Sequence, residues 1–182
     1  MRVRDMTLSS LFTALMVVGA FVKIPLPGLP VTLQPFFCAL AGILLGSRLG
    51  LLSQLLYIAM GLIGIPVFTK GGGVGYIFEP SFGYILGFAA GAYVIGKISE
   101  ALGKMSMKNA LISLMAGLIV IYAVGIPYTY MILRVYMNQP GAVLISTAML
   151  PFIVKDFVLF VVIAVAAQTL VPIVKRSQLP AR

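Results

Sequence analysis

Apolar residues run through almost the whole chain, and short polar or glycine- and proline-rich punctuation cuts them into six tracts. The tracts predict helices at about 7–23, 32–46, 49–64, 80–103, 108–134 and 144–175. A spanning helix needs about 20 apolar residues, so the length accommodates about six spans. The punctuation is specific. IPLPGLP (24–30) predicts a stiff extended loop, and GSRLG (46–50) a tight link. IPVFTKGGGVGYIFE (65–79) is a long third connection, Gly103 to Lys108 a basic turn, and NQPG (138–141) the last joint. The expected fold class is an all-α integral membrane protein, a bundle of about six transmembrane helices forming one domain over 1–182.

Composition agrees with that reading. Hydrophobic residues make up 61% and charged residues 9% of the 182, against about 25% charged in soluble domains. A cleavable signal peptide does not explain tracts spread over the whole chain, and MRVRDM resembles the charged flank of a first span. The net charge of +9 is scattered in ones and twos, with no basic stripe carrying interleaved aromatics, so nucleic acid is not an expected partner. Membrane topology accounts for the charge. Arg2, Arg4, Arg48, Lys97, Lys104, Lys108, Lys175, Arg176 and Arg182 fall on one side, nine cations, against Lys23, Lys70 and Arg134, three, on the other. The richer side is expected to be cytoplasmic. Both termini then lie inside, in a multi-pass protein of the cell membrane with the lipid bilayer around it. The three longer connections (24–31, 65–79 and 135–143) share the outer face, where a scaffold would present recognition loops.

Few residues offer chemistry. The chain has no histidine and one cysteine, Cys38, in the apolar stretch FFCALAGILLG, where it reads as a buried small residue. Without histidine, paired nucleophile and base, metal cluster or nucleotide motif, no catalytic residue, metal ligand or cofactor is expected, and the chain reads as a non-enzyme. Of four acids, Asp5 and Glu100 fall near the cytoplasmic surface and read as solvated. Asp156 lies inside the sixth tract, where an ionisable residue is costly and points to function. Lys155 is equally deep. Adjacent helix positions project about 100° apart, so the two are not expected to face each other. Each either snorkels or pairs with another helix, or both line a polar cavity that binds ligand.

Glu79 precedes Pro80, which is expected in the first turn of the fourth helix. It reads either as an acid on the positive end of that helix or as an acceptor for ligand N–H groups at a pocket mouth. GGGVG (71–75) lacks the lysine and hydroxyl residue of a nucleotide loop. Gly72 and Gly73 make either a flexible turn or a close backbone approach to a ligand. Gln34, opening the second helix, and Tyr84, on the fourth, are each either cavity residues or ordinary interfacial ones. Small residues recur four apart at Ser10 and Ala14, Gly42 and Gly46, and Gly87 and Gly91. That spacing permits close helix contact, within the chain or, for helix 1, with a partner membrane protein.

The stretches GAFVKIPLPGLPVTLQPFF (19–37), LAGILLGSRLGLLSQLLYIAMGLIGIPVF (40–68) and GGGVGYIFEPSFGYILGF (71–88) occur in order. On them the sequence resembles the biotin-specific substrate-capture subunits (BioY type) of energy-coupling-factor transporters. The resemblance implies a six-helix bundle that binds biotin from outside and docks on a transmembrane coupling protein attached to two ATPases. Nucleotide hydrolysis would then belong to the partners, and uptake would involve toppling of the capture subunit. It also implies that Asp156 holds the ureido head, and that the docking face of helix 1 falls on Ser10 and Ala14. The family often has glycine before that acid and lysine three positions after it; this chain has Lys155 and Leu159. Where relatives can carry asparagine stands Glu79, so a donor to the ureido carbonyl is expected from Lys155, Gln34 or a loop N–H. Lys70 and Lys23 are the outer cations for the ligand's carboxylate. Capture of another vitamin, and a structural membrane subunit with no ligand, are the competing readings; a pocket walled by helices 4 and 6 and the outer loops separates capture from the second.

Overall fold

The computed structural model describes residues 3–24, 31–138 and 141–177, and of 24, 141–151 and 175–177 the backbone only. Among the described residues six α-helices follow one another: α1 (Val3–Phe21), α2 (Gln34–Leu45), α3 (Ser47–Leu62), α4 (Phe82–Leu102), α5 (Met107–Met131) and α6 (Gly141–Ser177). A 3₁₀ turn, Val74–Phe78, lies between α3 and α4, and a π-helical segment, Ile132–Tyr136, prolongs α5. Most of the loops expected at 24–31 and 138–141 falls outside the described residues, as do Arg2 and Arg182. The ends of the first loop pair as a short antiparallel ladder, β1 (Lys23–Ile24) with β2 (Val31–Thr32), Lys23 opposite Thr32.

The helices divide by length. Val3–Phe21, Phe82–Leu102, Met107–Tyr136 and Phe152–Val174 are long and apolar enough to cross a bilayer, while α2 and α3 are shorter apolar helices. At 1.5 Å per residue α2 is only ~18 Å long, short of the ~30 Å hydrocarbon core. It does not need the full span, because it meets little lipid. α2 packs against α1, α3, α4, α5 and α6, and none of its residues is exposed. A helix apolar on all sides belongs in an interior.

The α2–α3 connection is tighter than the five-residue link expected, because α3 begins at Ser47 and only Gly46 lies between the helices. Gly46 adopts φ 83°, ψ −179°, a conformation that side chains disfavour. The chain reverses there: a Cβ on Gly50 would come within 3.1 Å of the Gly42 Cα. Glu100 at the end of α4 closes the exposed start of α3, accepting from the Ser47 N–H at 2.7 Å. It is therefore a cap for another helix and not simply a solvated surface acid.

Glycines let α4 approach its neighbours. Lipid solvates apolar side chains as well as other helices do, so close packing must supply the association energy. A Cβ on Gly87 would meet the Ile121 carbonyl oxygen at 2.7 Å, and one on Gly96 the Ser47 nitrogen at 2.2 Å. The small-residue pairs Gly42/Gly46 and Gly87/Gly91 thus serve contact within the chain. Cys38 is buried, its thiol donating to the Phe88 carbonyl at 3.2 Å.

Candidate functional site

One end of the bundle is built from the ladder, the α3–α4 connection, the start of α4, the C-terminal end of α5 and the N-terminal half of α6. Aromatic packing fixes the connection. Phe68 folds back onto α3, where only a glycine leaves room: a Cβ on Gly61 would fall 1.9 Å from the Phe68 ring. Its ring centroid lies 5.3 Å from that of Tyr57 and 4.5 Å from that of Tyr76. From α5, Tyr128 donates to the Ile77 carbonyl and Thr129 donates to that of Pro80 at 2.8 Å. These contacts hold the 3₁₀ turn so that Tyr76 points inward.

Beneath the connection lies a cavity lined by Thr32, Gln34, Pro35, Thr69, Tyr76, Ser81, Tyr84, Ile85, Phe88, Ile121, Tyr122, Phe152, Lys155 and Asp156. The cavity has a volume of about 50 Å³, room for a few waters, and is partly open to the surface. Most of the exposed wall is apolar and aromatic, from Pro35, Ile85, Phe88, Ile121, Phe152 and the tyrosine rings, and polar groups of Thr32, Gln34, Thr69, Ser81, Lys155 and Asp156 converge on it, an arrangement suited to a small molecule.

Asp156 is the most buried charge among the described residues, 3% exposed. Its Oδ2 accepts from the Tyr122 hydroxyl at 2.8 Å. Its Oδ1 lies 2.6 Å from the Lys155 Nζ, yet off the direction of any hydrogen bond, so the contact is one of charge and a lone pair stays available. The two residues were expected to diverge; the flexible lysine stem instead bends back over the helix. The same Nζ donates to the Thr32 carbonyl at 2.6 Å, tying α6 to β2.

The other polar groups form two short chains. Gln34 is 4% exposed; its Nε2 donates to the Tyr57 hydroxyl at 2.9 Å, which donates to the Val67 carbonyl at 3.0 Å. Its Oε1 accepts from the Thr32 hydroxyl at 3.3 Å. Opposite, the Tyr76 hydroxyl lies 2.8 Å from that of Thr69 and 3.0 Å from that of Ser81. Tyr84 packs edge-on against Tyr122, centroids 5.7 Å apart.

The structure thus brings Asp156, Lys155, Gln34 and Tyr84 to one cavity and leaves the other sequence candidates outside its lining. Glu79 pairs with Lys70 at 2.7 Å on the rim. Pro80 precedes the N-cap Ser81 and is not in the first turn of α4 as expected; the Glu79 carbonyl accepts from the Phe82 N–H at 3.0 Å at the start of that helix. Gly73 donates its N–H to the Gly61 carbonyl at 2.7 Å, and a Cβ on Gly72 would lie 2.2 Å from the Ile65 oxygen. Both glycines let the connection pack on the end of α3. Lys23 donates to the Thr69 carbonyl at 2.5 Å; neither it nor Lys70 lines the cavity.

Sequence reasoning missed Tyr122, Tyr76, Thr69, Ser81 and Thr32. Tyr122 carried a signal: a hydroxyl far from both ends of an apolar span requires a partner. The others had none, since loop hydroxyls are common and their aim depends on the fold.

Away from the cavity, α1 presents Val3, Met6, Thr7, Ser10, Leu11, Ala14, Val18 and Phe21 on one exposed face. Val3, Met6, Thr7, Ser10 and Leu11 line a shallow groove there.

Comparison with known proteins agrees with this architecture. The BioY family model matches residues 1–176. A probable biotin transporter BioY of Lysinibacillus sphaericus is 42% identical over 176 residues, 96% of this chain and 90% of that protein. The biotin transporter BioY of Thermotoga maritima is 39% identical over 165 residues, 90% of this chain and 94% of that protein. Among solved structures, the S-component for biotin from an ECF-type ABC transporter superposes with a TM-score of 0.59 at 26% identity, covering 98% of this chain and 93% of that one.

Proposed function

The chain belongs to the BioY family, and on that premise we propose that it captures biotin in the Asp156 cavity for uptake across the cell membrane. It acts as the S-component of an ECF-type transporter, a transport protein and not an enzyme. The observation that carries the reading is Asp156 itself: a carboxylate buried in an apolar-walled cavity with one oxygen, Oδ1, short of a hydrogen bond. A cyclic urea offers two N–H donors to such an acceptor, and a buried acceptor left unmatched costs about 1–3 kcal/mol.

The head of the ligand lies against Asp156 and the rings of Tyr84, Tyr122 and Phe88. One N–H of Gln34 is held by Tyr57; the second serves the urea carbonyl. Glu79, Gly72 and Gly73 support the rim.

The cavity opens to the outside, and both termini are cytoplasmic. This orientation is supported by Arg48, Lys97, Lys104 and Lys108, all exposed towards the end opposite the cavity, since cationic connections favour the cytoplasmic face. The exposed α1 face, with Ser10 and Ala14 leaving a shallow path for another helix, docks the transmembrane coupling protein. Two ATPases bound to that partner hydrolyse ATP, and this chain uses no cofactor.

The test is equilibrium binding of labelled biotin to the purified chain in detergent, beside Asp156→Asn. Saturable binding that the variant weakens by roughly tenfold or more supports the reading. Unchanged affinity would remove Asp156 from the site, and absence of binding by the folded wild type would refute biotin capture.

A further inference from the structure

Two charged residues line the cavity, and they stand at different depths. The side chain of Lys155 is 24% exposed and that of Asp156 4%. Asp156 turns inward to Tyr122 on α5, whereas the Lys155 ammonium reaches the Thr32 carbonyl on β2, beside the outer loops. An ammonium carries three N–H donors; the Thr32 carbonyl takes one, and Asp156 Oδ1 lies 2.6 Å away as an ion pair without a hydrogen bond. No other cation lines the cavity among the described residues. Lys23 and Lys70, the other lysines of this end, are held by the Thr69 carbonyl and by Glu79. The remaining polar groups of the mouth, Thr32, Gln34, Thr69, Tyr76 and Ser81, are uncharged.

We propose that Lys155 is the specificity-determining residue for the anionic end of the ligand: it takes the ligand's carboxylate at the mouth while Asp156 and Tyr122 hold the uncharged head below. This rests on the biotin-capture reading above and assigns the tail of that ligand. A carboxylate arriving at the mouth draws the ammonium from Asp156, exchanging one ion pair for another. Asp156 Oδ1 then turns its lone pair to the N–H of the head. The two ends of the ligand thereby divide the Lys155–Asp156 ion pair. Charge-assisted bonds are about twice as strong as neutral ones, so a molecule with the same head and an uncharged tail is discriminated against.

The experiment is calorimetric titration of the full-length protein in detergent with biotin and with biotin methyl ester. It uses the wild type, Lys155→Met, Lys155→Arg and Tyr122→Phe. The quantity read is the ratio of the two dissociation constants, which cancels any uniform loss from the substitution. The wild type is expected to prefer the acid by roughly tenfold or more. Lys155→Met should bring the ratio near one, Lys155→Arg should keep it well above one, and Tyr122→Phe should weaken both ligands and preserve it. A wild-type ratio near one, or a ratio that survives Lys155→Met, overturns the assignment and leaves biotin capture standing. Failure of the folded wild type to bind either compound overturns capture and the assignment with it.

Discussion

The hydroxyl of Tyr122 donates to Asp156 Oδ2 at 2.8 Å, joining α5 to α6 across the floor of the cavity. The bond fixes the carboxylate so that Oδ1, and not Oδ2, faces incoming ligand. Tyr122→Phe keeps the ring against Tyr84 and removes only the donor. Biotin affinity is expected to fall roughly tenfold, in line with the ~1–3 kcal/mol of an acceptor left unmatched in the interior. Titration calorimetry reads it. Wild-type affinity in the variant would mean that Asp156 is oriented by something else.

Glu100 joins two helices at the opposite end, its carboxylate accepting from the Ser47 N–H at 2.7 Å and from the Ser47 hydroxyl at 2.9 Å. It satisfies a backbone donor that the abrupt α2–α3 reversal leaves at the start of α3. Glu100→Ala is expected to cost about 1 kcal/mol of stability, the usual scale for losing an N-terminal cap. Thermal unfolding in detergent measures it. Because Glu100 also bonds the hydroxyl, Ser47→Ala in the same background should add less than it does alone. Fully additive losses would argue against the pairing.

Gly96 and Gly75 offer a contrast within one protein. A Cβ at Gly96 would lie 2.2 Å from the Ser47 nitrogen and 2.5 Å from its Cα, whereas one at Gly75 would meet nothing within 4 Å. Backbone cannot step aside as a side-chain tip can, so Gly96→Ala is expected to lower stability by about 1–3 kcal/mol. Gly75→Ala should leave the melting temperature almost unchanged. Equal melting temperatures for the two variants would contradict the close approach of α4 to the α2–α3 turn.

Ser10 lies on the exposed face of α1 and lines the groove there with Val3, Met6, Thr7 and Leu11. Ser10→Trp fills that face without touching the cavity. The variant is expected to bind biotin in detergent while co-purification with the ECF components, and uptake in cells expressing them, fall severalfold. Undiminished co-purification would place the docking surface elsewhere on the bundle.

Much of this protein was determined by the linear pattern of its residues. Transfer of apolar side chains into lipid is nearly a sum over positions, so the tracts, their punctuation and the cost of burying Asp156 are written along the chain. Gly46 and the glycines of α4 were legible for a similar reason, since a missing side chain marks close contact whichever neighbour arrives. Which neighbour arrives is a tertiary matter. α2 is too short to span, and only the five helices around it explain why it need not. Asp156 could be named from its tract, but Tyr122, 34 positions earlier, becomes its partner only when α5 and α6 pack. Lys155 folds back to Asp156 and still reaches Thr32, 123 positions away, because four methylenes can follow whatever acceptors the fold supplies. Lys23 and Lys70 were candidates for the ligand's carboxylate by their outer location, and Glu79 either a helix-end acid or a mouth acceptor; the fold sets Lys23 on the Thr69 carbonyl and pairs Lys70 with Glu79. A hydrogen bond depends on separations of tenths of an ångström between distant segments, and those separations exist only once the bundle has closed.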